Sequence, residues 1–170
     1  MSKLELQKVF DNTPVSSYRE KVKYLEDFLV SVADGKNIVG NNKELVYPDF
    51  WGYKHSFAEG LYVREMTMKK GQLGFSAIHK HSYAFFLLSG VLQCSSEKGA
   101  VEYIGPVYII SPQGAKRIVY AKEDCIIVTV HANPTNTQDL KELEKINVVF
   151  NWKDYDNYKN KKLKVWVTEQ

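Results

Sequence analysis

His79-Lys80-His81 holds the densest cluster of potential chemistry in the chain. Side chains on a strand alternate with period 2, so a His-x-His pair puts both imidazoles on one face. A mononuclear metal site needs three or four N or O donors converging on one point. His131, at the end of a later apolar run, is a third candidate. His79, His81 and His131 would then bind one divalent transition metal and leave positions open for water or substrate. The competing reading makes His79 and His131 hydrogen-bonding groups that line a pocket, with His81 exposed at a strand end. Nucleophilic catalysis has less to work with. Cys94 and Cys125 lie within apolar runs, and no serine stands in a Gly-x-Ser-x-Gly elbow.

These residues need a scaffold, and the chain has material for one. At 170 residues and 44% hydrophobic, it suits one domain with a core plus accessory segments. A net charge of +3 is too small to point to a nucleic-acid polymer as partner. No apolar run approaches the ~18 residues of a membrane span, and no signal peptide is evident. Reduced thiols in a cytoplasmic protein are therefore expected.

Ser17-Tyr-Arg-Glu20 is a capping-box pattern, followed by Val22, Leu25, Leu29 and Val32 at helical spacing. An amphipathic helix is expected from residue 18 to Ala33, closed by Asp34-Gly35, with a turn at Gly40-Asn-Asn-Lys43. Short strand-like runs then follow: Leu61–Met68, Leu73–His79, Ala84–Leu88, Val91–Cys94, Val101–Ile104, Val107–Ile110, Ala115–Tyr120 and Cys125–His131. Their regular punctuation suggests a sandwich or barrel. Thr137–Ile146 returns to helical spacing. The tail reads as two further strand-like pieces, Val148–Trp152 and Leu163–Val167. The aromatic segment Tyr47–Tyr53 could lie over a barrel opening as a lid, dock against a second subunit or pack under a loop.

Several stretches occur together in a characteristic order. They are His55-Ser-Phe, Gly60-Leu-Tyr-Val-Arg-Glu65, Ile78-His-Lys80, Ser111-Pro-Gln-Gly-Ala-Lys-Arg117, Tyr120-Ala-Lys-Glu-Asp124 and Val130-His-Ala132. On them, residues 48–146 resemble a family of small cupin proteins common in bacteriophage and prophage genomes. The resemblance implies an all-β core, a cupin-like jelly-roll β-barrel, here with an N-terminal helix and a short C-terminal helix plus a strand-like tail. It divides the chain into an arm and helix (1–47), the barrel (48–146) and an extension (147–170). It also implies a viral origin, hence the host cytosol, and a homo-oligomer (dimer or higher), since cupins commonly pair through their sheets.

In such barrels Pro112-Gln113-Gly114 would open the second ligand-bearing hairpin. The resemblance then calls for an acid a few residues after His81, where this chain has Phe85-Phe86, and a histidine three residues past Gly114, where it has Arg117. Relatives usually carry another histidine near Tyr83 and an asparagine near Phe85, and His81 has no counterpart among them. The implied object is a barrel that has kept its shape and exchanged metal chemistry for something else.

Arg117 suggests what that is. A guanidinium in a barrel mouth is costly unless an anion meets it, and its planar fork suits phosphate or carboxylate. The alternative is a structural ion pair with Glu65 or Asp124. Lys80, Lys116 and Arg64 would add positive charge, and Tyr83 and Phe85 would offer aromatic faces to a ring. The expected function is a non-catalytic binder with no cofactor. It would sequester a phosphate-bearing, nucleotide or ADP-ribose-like ligand, such as a host immune signal, through His79, His131, Arg117, Tyr83, Arg64 and Phe85. The alternatives are a metal-dependent oxygenase or isomerase and a virion or host-protein interaction module. Fold alone does not choose between them.

Overall fold

A computed structural model describes residue 7, residues 10–32 and residues 52–168. The chain enters through helix α1 (Tyr18–Val32). Eleven described strands follow: β1 (Lys54–Ala58), β2 (Gly60–Met68), β3 (Leu73–Phe75), β4 (Ile78–His79), β5 (Tyr83–Ser89), β6 (Val91–Ser96), β7 (Gly99–Ile104), β8 (Val107–Ser111), β9 (Ile118–Ala121), β10 (Cys125–Asn133) and β11 (Val148–Val149). Helix α2 (Leu140–Asn147) precedes β11, and helix α3 (Trp152–Thr168) follows it.

The strands form two main sheets, ordered β1-β2-β10-β5-β8 and β3-β9-β6-β7, plus the small pair β11-β4. Every pairing is antiparallel. Strands β2, β10, β5 and β8 have their chain neighbours β3, β9, β6 and β7 in the other sheet. That interleaving is the jelly roll expected from the sequence, with β1 added at one edge.

Strand parity decides what faces the interior. Along β10, Cys125, Ile127, Thr129, His131 and Asn133 are buried while the residues between them are not. On β5 the same alternation turns Tyr83, Phe85 and Leu87 inward. Of these, Tyr83, Phe85, Leu87, Cys125 and Ile127 join Met68, Leu92, Cys94 and Ala121 in the main core. Each large apolar side chain withdrawn from water contributes about 1.5–3 kcal/mol. Cys94 and Cys125 are both buried free thiols, and burial pushes the Cys94 thiol up to about 12, where it is a poor nucleophile.

A second apolar cluster of Phe10, Val22, Leu25, Phe75 and Ile118 seats α1 on the outer face of the β3-β9-β6-β7 sheet. The expected capping box is present: Ser17 Oγ lies 2.6 Å from Glu20 Oε2, and the Glu20 amide donates back to Ser17 Oγ. Beneath the helix, Lys116 Nζ meets Glu26 Oε2 at 2.6 Å, with both side chains over nine-tenths buried. Lys116 is therefore a structural ion-pair partner and not a free cation at a barrel mouth.

The tail differs from its sequence reading. Val148 and Val149 do form a short strand, against His79 and Ile78. From Trp152 the chain is helical, including the run Leu163–Val167 that reads as a strand. Asn151 starts this helix, its Oδ1 accepting from the Asp154 amide at 2.9 Å and its Nδ2 donating to the Asp154 carboxylate. Nucleation is the costly step of helix formation, so a helix capped at Asn151 propagates through β-branched residues that alone favour strands.

Two strand readings also shift. Leu73–His79 is broken between Phe75 and Ile78, and Ala115–Tyr120 starts only at Ile118, because residues 112–117 turn back onto β4. That turn is held by His79 N donating to Ala115 O and by Gly114 N donating to His79 O. The turn expected at residues 40–43, the helix end at 33–35 and most of the aromatic segment 47–53 lie outside the described residues. No described helix is long and apolar enough to cross a membrane.

Candidate ligand site

His79 and His131 are brought together inside the barrel. Their rings are nearly parallel, 5° apart in plane with centroids separated by 5.5 Å. Tyr83 packs on both, 4.0 Å from His79 and 4.8 Å from His131. The stack continues outward from His131 to Tyr62 and from Tyr62 to His55, each step 5.9 Å. Antiparallel register produces this column: His131 is opposite Tyr62 on β2, and His55 on β1 is opposite Arg64. His55 Nδ1 hydrogen-bonds Tyr62 Oη at 2.7 Å.

Both inner imidazoles are neutral at ordinary pH. Burial, then the Arg64 guanidinium, pushes His79 down to about 3. Burial and Arg64 likewise hold His131 well below the usual histidine range. His79 Nδ1 is 3.3 Å from the Ala115 carbonyl, which can only accept, so Nδ1 carries the hydrogen and Nε2 keeps its lone pair.

Arg117 and Arg64 complete the site. Arg117 precedes β9 and turns inward, its Nη1 donating to Ser111 Oγ at 2.7 Å. Ser111 faces the same interior from β8, directly opposite Tyr83. The ion pair considered for Arg117 is not formed, because Glu65 is bound by Lys54 and Asp124 by Lys69. His79, Tyr83, Phe85, Arg64 and Arg117 all line one interior cavity of about 70 Å³, and His131 lines a smaller adjoining space with Arg64 and His79. Arg117 thus lines the cavity that His79, Tyr83, Phe85 and Arg64 line, while His131 lines the adjoining space that shares Arg64 and His79 with it. Tyr53, Thr129 and Ser76 also line the cavity. The sequence reading missed Ser111, although Ser111 is in phase with Ile109 along β8 and so was due to face inward.

His81 lies elsewhere. Strand β4 ends at His79, and past that end period-2 alternation no longer applies, so the His-x-His geometry fails. The His81 ring packs edge-on against Tyr158 of α3 at 5.9 Å. Lys80 donates to the Lys145 carbonyl and lies 5.5 Å from the Tyr158 ring, so it too is turned away from the cavity.

A mononuclear metal does not fit the residues present. Two histidines converge where a mononuclear site needs three or four donors, and the Arg64 and Arg117 guanidiniums already disfavour positive charge at His79. Among the described residues no group of three or more His, Cys, Asp or Glu side chains is arranged to hold a metal ion. What the site can do is bind an anion: guanidinium N–H groups donate, and neutral imidazoles and hydroxyls adjust donor or acceptor roles around it.

No protein-family profile matches the chain, and no curated protein matches it in sequence. Among solved structures, a cupin-2 domain-containing protein from Shewanella frigidimarina is 14% identical with a TM-score of 0.42, covering 49% of this chain and 81% of that one. The EutQ protein of Clostridium difficile is 18% identical with a TM-score of 0.43, covering 61% and 74%. KdgF from Halomonas is 13% identical with a TM-score of 0.43, covering 51% and 79%. These likenesses are distant and span 49–61% of this chain, and the jelly roll rests on the strand order.

Proposed function

We propose that this protein is a non-catalytic binder of a phosphate-bearing small molecule, and that it works by sequestration. The observation that carries the reading is that Arg64 and Arg117 line the same interior cavity beside two neutral imidazoles. Sequestration requires tight binding and no reaction, so a barrel lacking a convergent metal donor set is not handicapped for it. The volume refines which part of the ligand enters. Pockets for whole drug-sized ligands run to about 300–1,000 Å³, whereas water occupies about 30 Å³. A cavity of about 70 Å³ admits a phosphate or carboxylate group and not a whole nucleotide. A nucleotide or ADP-ribose-like ligand, for instance a host immune signal met by a phage-encoded protein, would insert its anionic end and leave its body outside.

The test is calorimetry against inorganic phosphate, cyclic nucleotides and ADP-ribose derivatives. Losing a charged hydrogen bond costs about 1.5–3 kcal/mol, so Arg117→Ala should weaken binding roughly tenfold to a hundredfold. The melting temperature of the ligand-free variant should stay nearly unchanged or rise, since a half-buried cation is removed. Intact ligand recovered after denaturing the complex separates a sponge from a hydrolase. Absence of binding by every panel member, together with a destabilised Arg117→Ala protein, would overturn the proposal.

A further inference from the structure

Outside the barrel, a groove of about 430 Å³ runs between α1, the turn joining β6 to β7, the turn at 112–117 and α3. This volume falls within the range of about 300–1,000 Å³ that small-molecule sites occupy. Arg19 is fixed on one wall: its Nη1 lies 3.1 Å from both carboxylate oxygens of Asp156, and its guanidinium sits 4.3 Å from the centre of the Trp152 ring. Arg19 nevertheless remains 47% exposed. A guanidinium seated over an indole ring and still half open to solvent is a platform for another planar π-system.

The groove is also strongly biased in charge. Its described lining holds Arg19, Lys98, Lys116, Arg117 and Lys159 against a single acid, Glu97. Arg19 is answered by Asp156 and Lys116 by Glu26, whereas Lys98, Arg117 and Lys159 form no ion pair with any described carboxylate. Arg117 lines both this groove and the interior cavity, so it stands in the wall between them. Helices α1 and α3 lie outside residues 48–146, which carry the family resemblance, so the groove is a feature of this chain's additions to the barrel.

We infer that the groove is a nucleotide-binding site, with the Arg19–Trp152 stack taking the base and Lys98, Lys159 and Arg117 taking the phosphates. It shares one element with the proposed function, that Arg117 meets a phosphate. The groove supplies the room that the interior cavity lacks.

The experiment compares inorganic phosphate, adenosine, AMP and ADP-ribose by calorimetry on the full chain and on Lys98→Glu/Lys159→Glu. Both lysines are exposed, so the variant should melt with the wild type. Its affinity for AMP and ADP-ribose should fall at least tenfold, inorganic phosphate should still be taken up by the interior cavity, and adenosine should bind the wild type more weakly than AMP. Nucleotide binding that is indifferent to the lysine reversals but lost in Arg64→Met would overturn the groove and leave the interior site standing. Nucleotide binding lost in the lysine variant, with no phosphate uptake by the wild type, would support the groove and overturn the interior site. No binding of AMP or ADP-ribose by the wild type would overturn the groove outright.

Discussion

Acid should loosen this protein through His79, and the size of the effect follows from its surroundings. Unfolded, a histidine titrates near 6.5. Folded, burial and the Arg64 and Arg117 guanidiniums hold His79 at about 3, with the Ala115 carbonyl opposing them only in part. A depressed folded value means that the unfolded chain takes up the proton first. Stability from this group is therefore complete above about pH 6.5 and is lost as pH falls toward 3, by about 1.4 kcal/mol per pH unit. Between pH 7 and pH 5 His79 alone removes about 2 kcal/mol, and His131, depressed by burial, Arg64 and His79 itself, acts in the same direction. For a chain of this length, 2 kcal/mol corresponds to a fall of roughly 4–8 °C in melting temperature. Urea and thermal melts at pH 7, 6 and 5 should be run on the wild type and on His79→Gln, which keeps a donor for Ala115 but does not titrate. The variant should show a distinctly shallower pH dependence, and saturating phosphate should flatten the wild-type curve by favouring the protonated rings. Equal slopes in wild type and variant would refute the account of a buried neutral imidazole held beside two cations.

Two further substitutions probe the turn at 112–117. Gly114 has φ +80°, and a Cβ there would lie 2.6 Å from Tyr155 Oη, so Gly114→Ala should cost about 2–3 kcal/mol from left-handed strain plus displacement of the ring. In a Tyr155→Ala background the same change should cost only about 1–2 kcal/mol, and chemical melts showing no such coupling would remove the clash from the explanation. Lys116→Met strands the Glu26 carboxylate under α1 and should destabilise by about 3–5 kcal/mol, with Lys116→Met/Glu26→Leu recovering most of the loss. A double variant as unstable as the single one would show that the pair is not what holds the helix down.

The barrel was legible because its signals are local and repetitive. Alternation along β2, β5 and β10 is enough to place Arg64, Tyr83, Phe85 and His131 on inward faces, provided the strands are found. The helical tail was misread because its stronger cue is a short one. Leu163–Val167 alternates apolar and charged residues, while the Asn151/Asp154 cap that decides the outcome lies well upstream. Of the two readings of His81, the one that joined it to His79 by strand parity fails for a related reason: parity holds only within a strand, and β4, paired with Val148 and Val149, ends at His79. The partners of Lys116 and Arg117 are distant in sequence or face opposite ways, so nothing local reveals that one lysine serves the core and the next residue serves the cavity.

That adjacency has a mechanical consequence. Within a single turn, the Ala115 carbonyl accepts from His79, Gly114 packs under Tyr155 of α3, Lys116 is clamped by Glu26 of α1, and Arg117 enters the barrel to meet Ser111. Tyr18 of α1 also donates to the Lys116 carbonyl at 2.8 Å. The two helices are therefore tied to the backbone that presents Arg117, and not merely packed on the barrel's surface. A ligand that draws α1 and α3 together across the groove would press on the segment that sets the position of the guanidinium and the tautomer of His79. Coupling of this kind needs no long relay, because residues 112–117 line the groove and the last of them, Arg117, also lines the cavity.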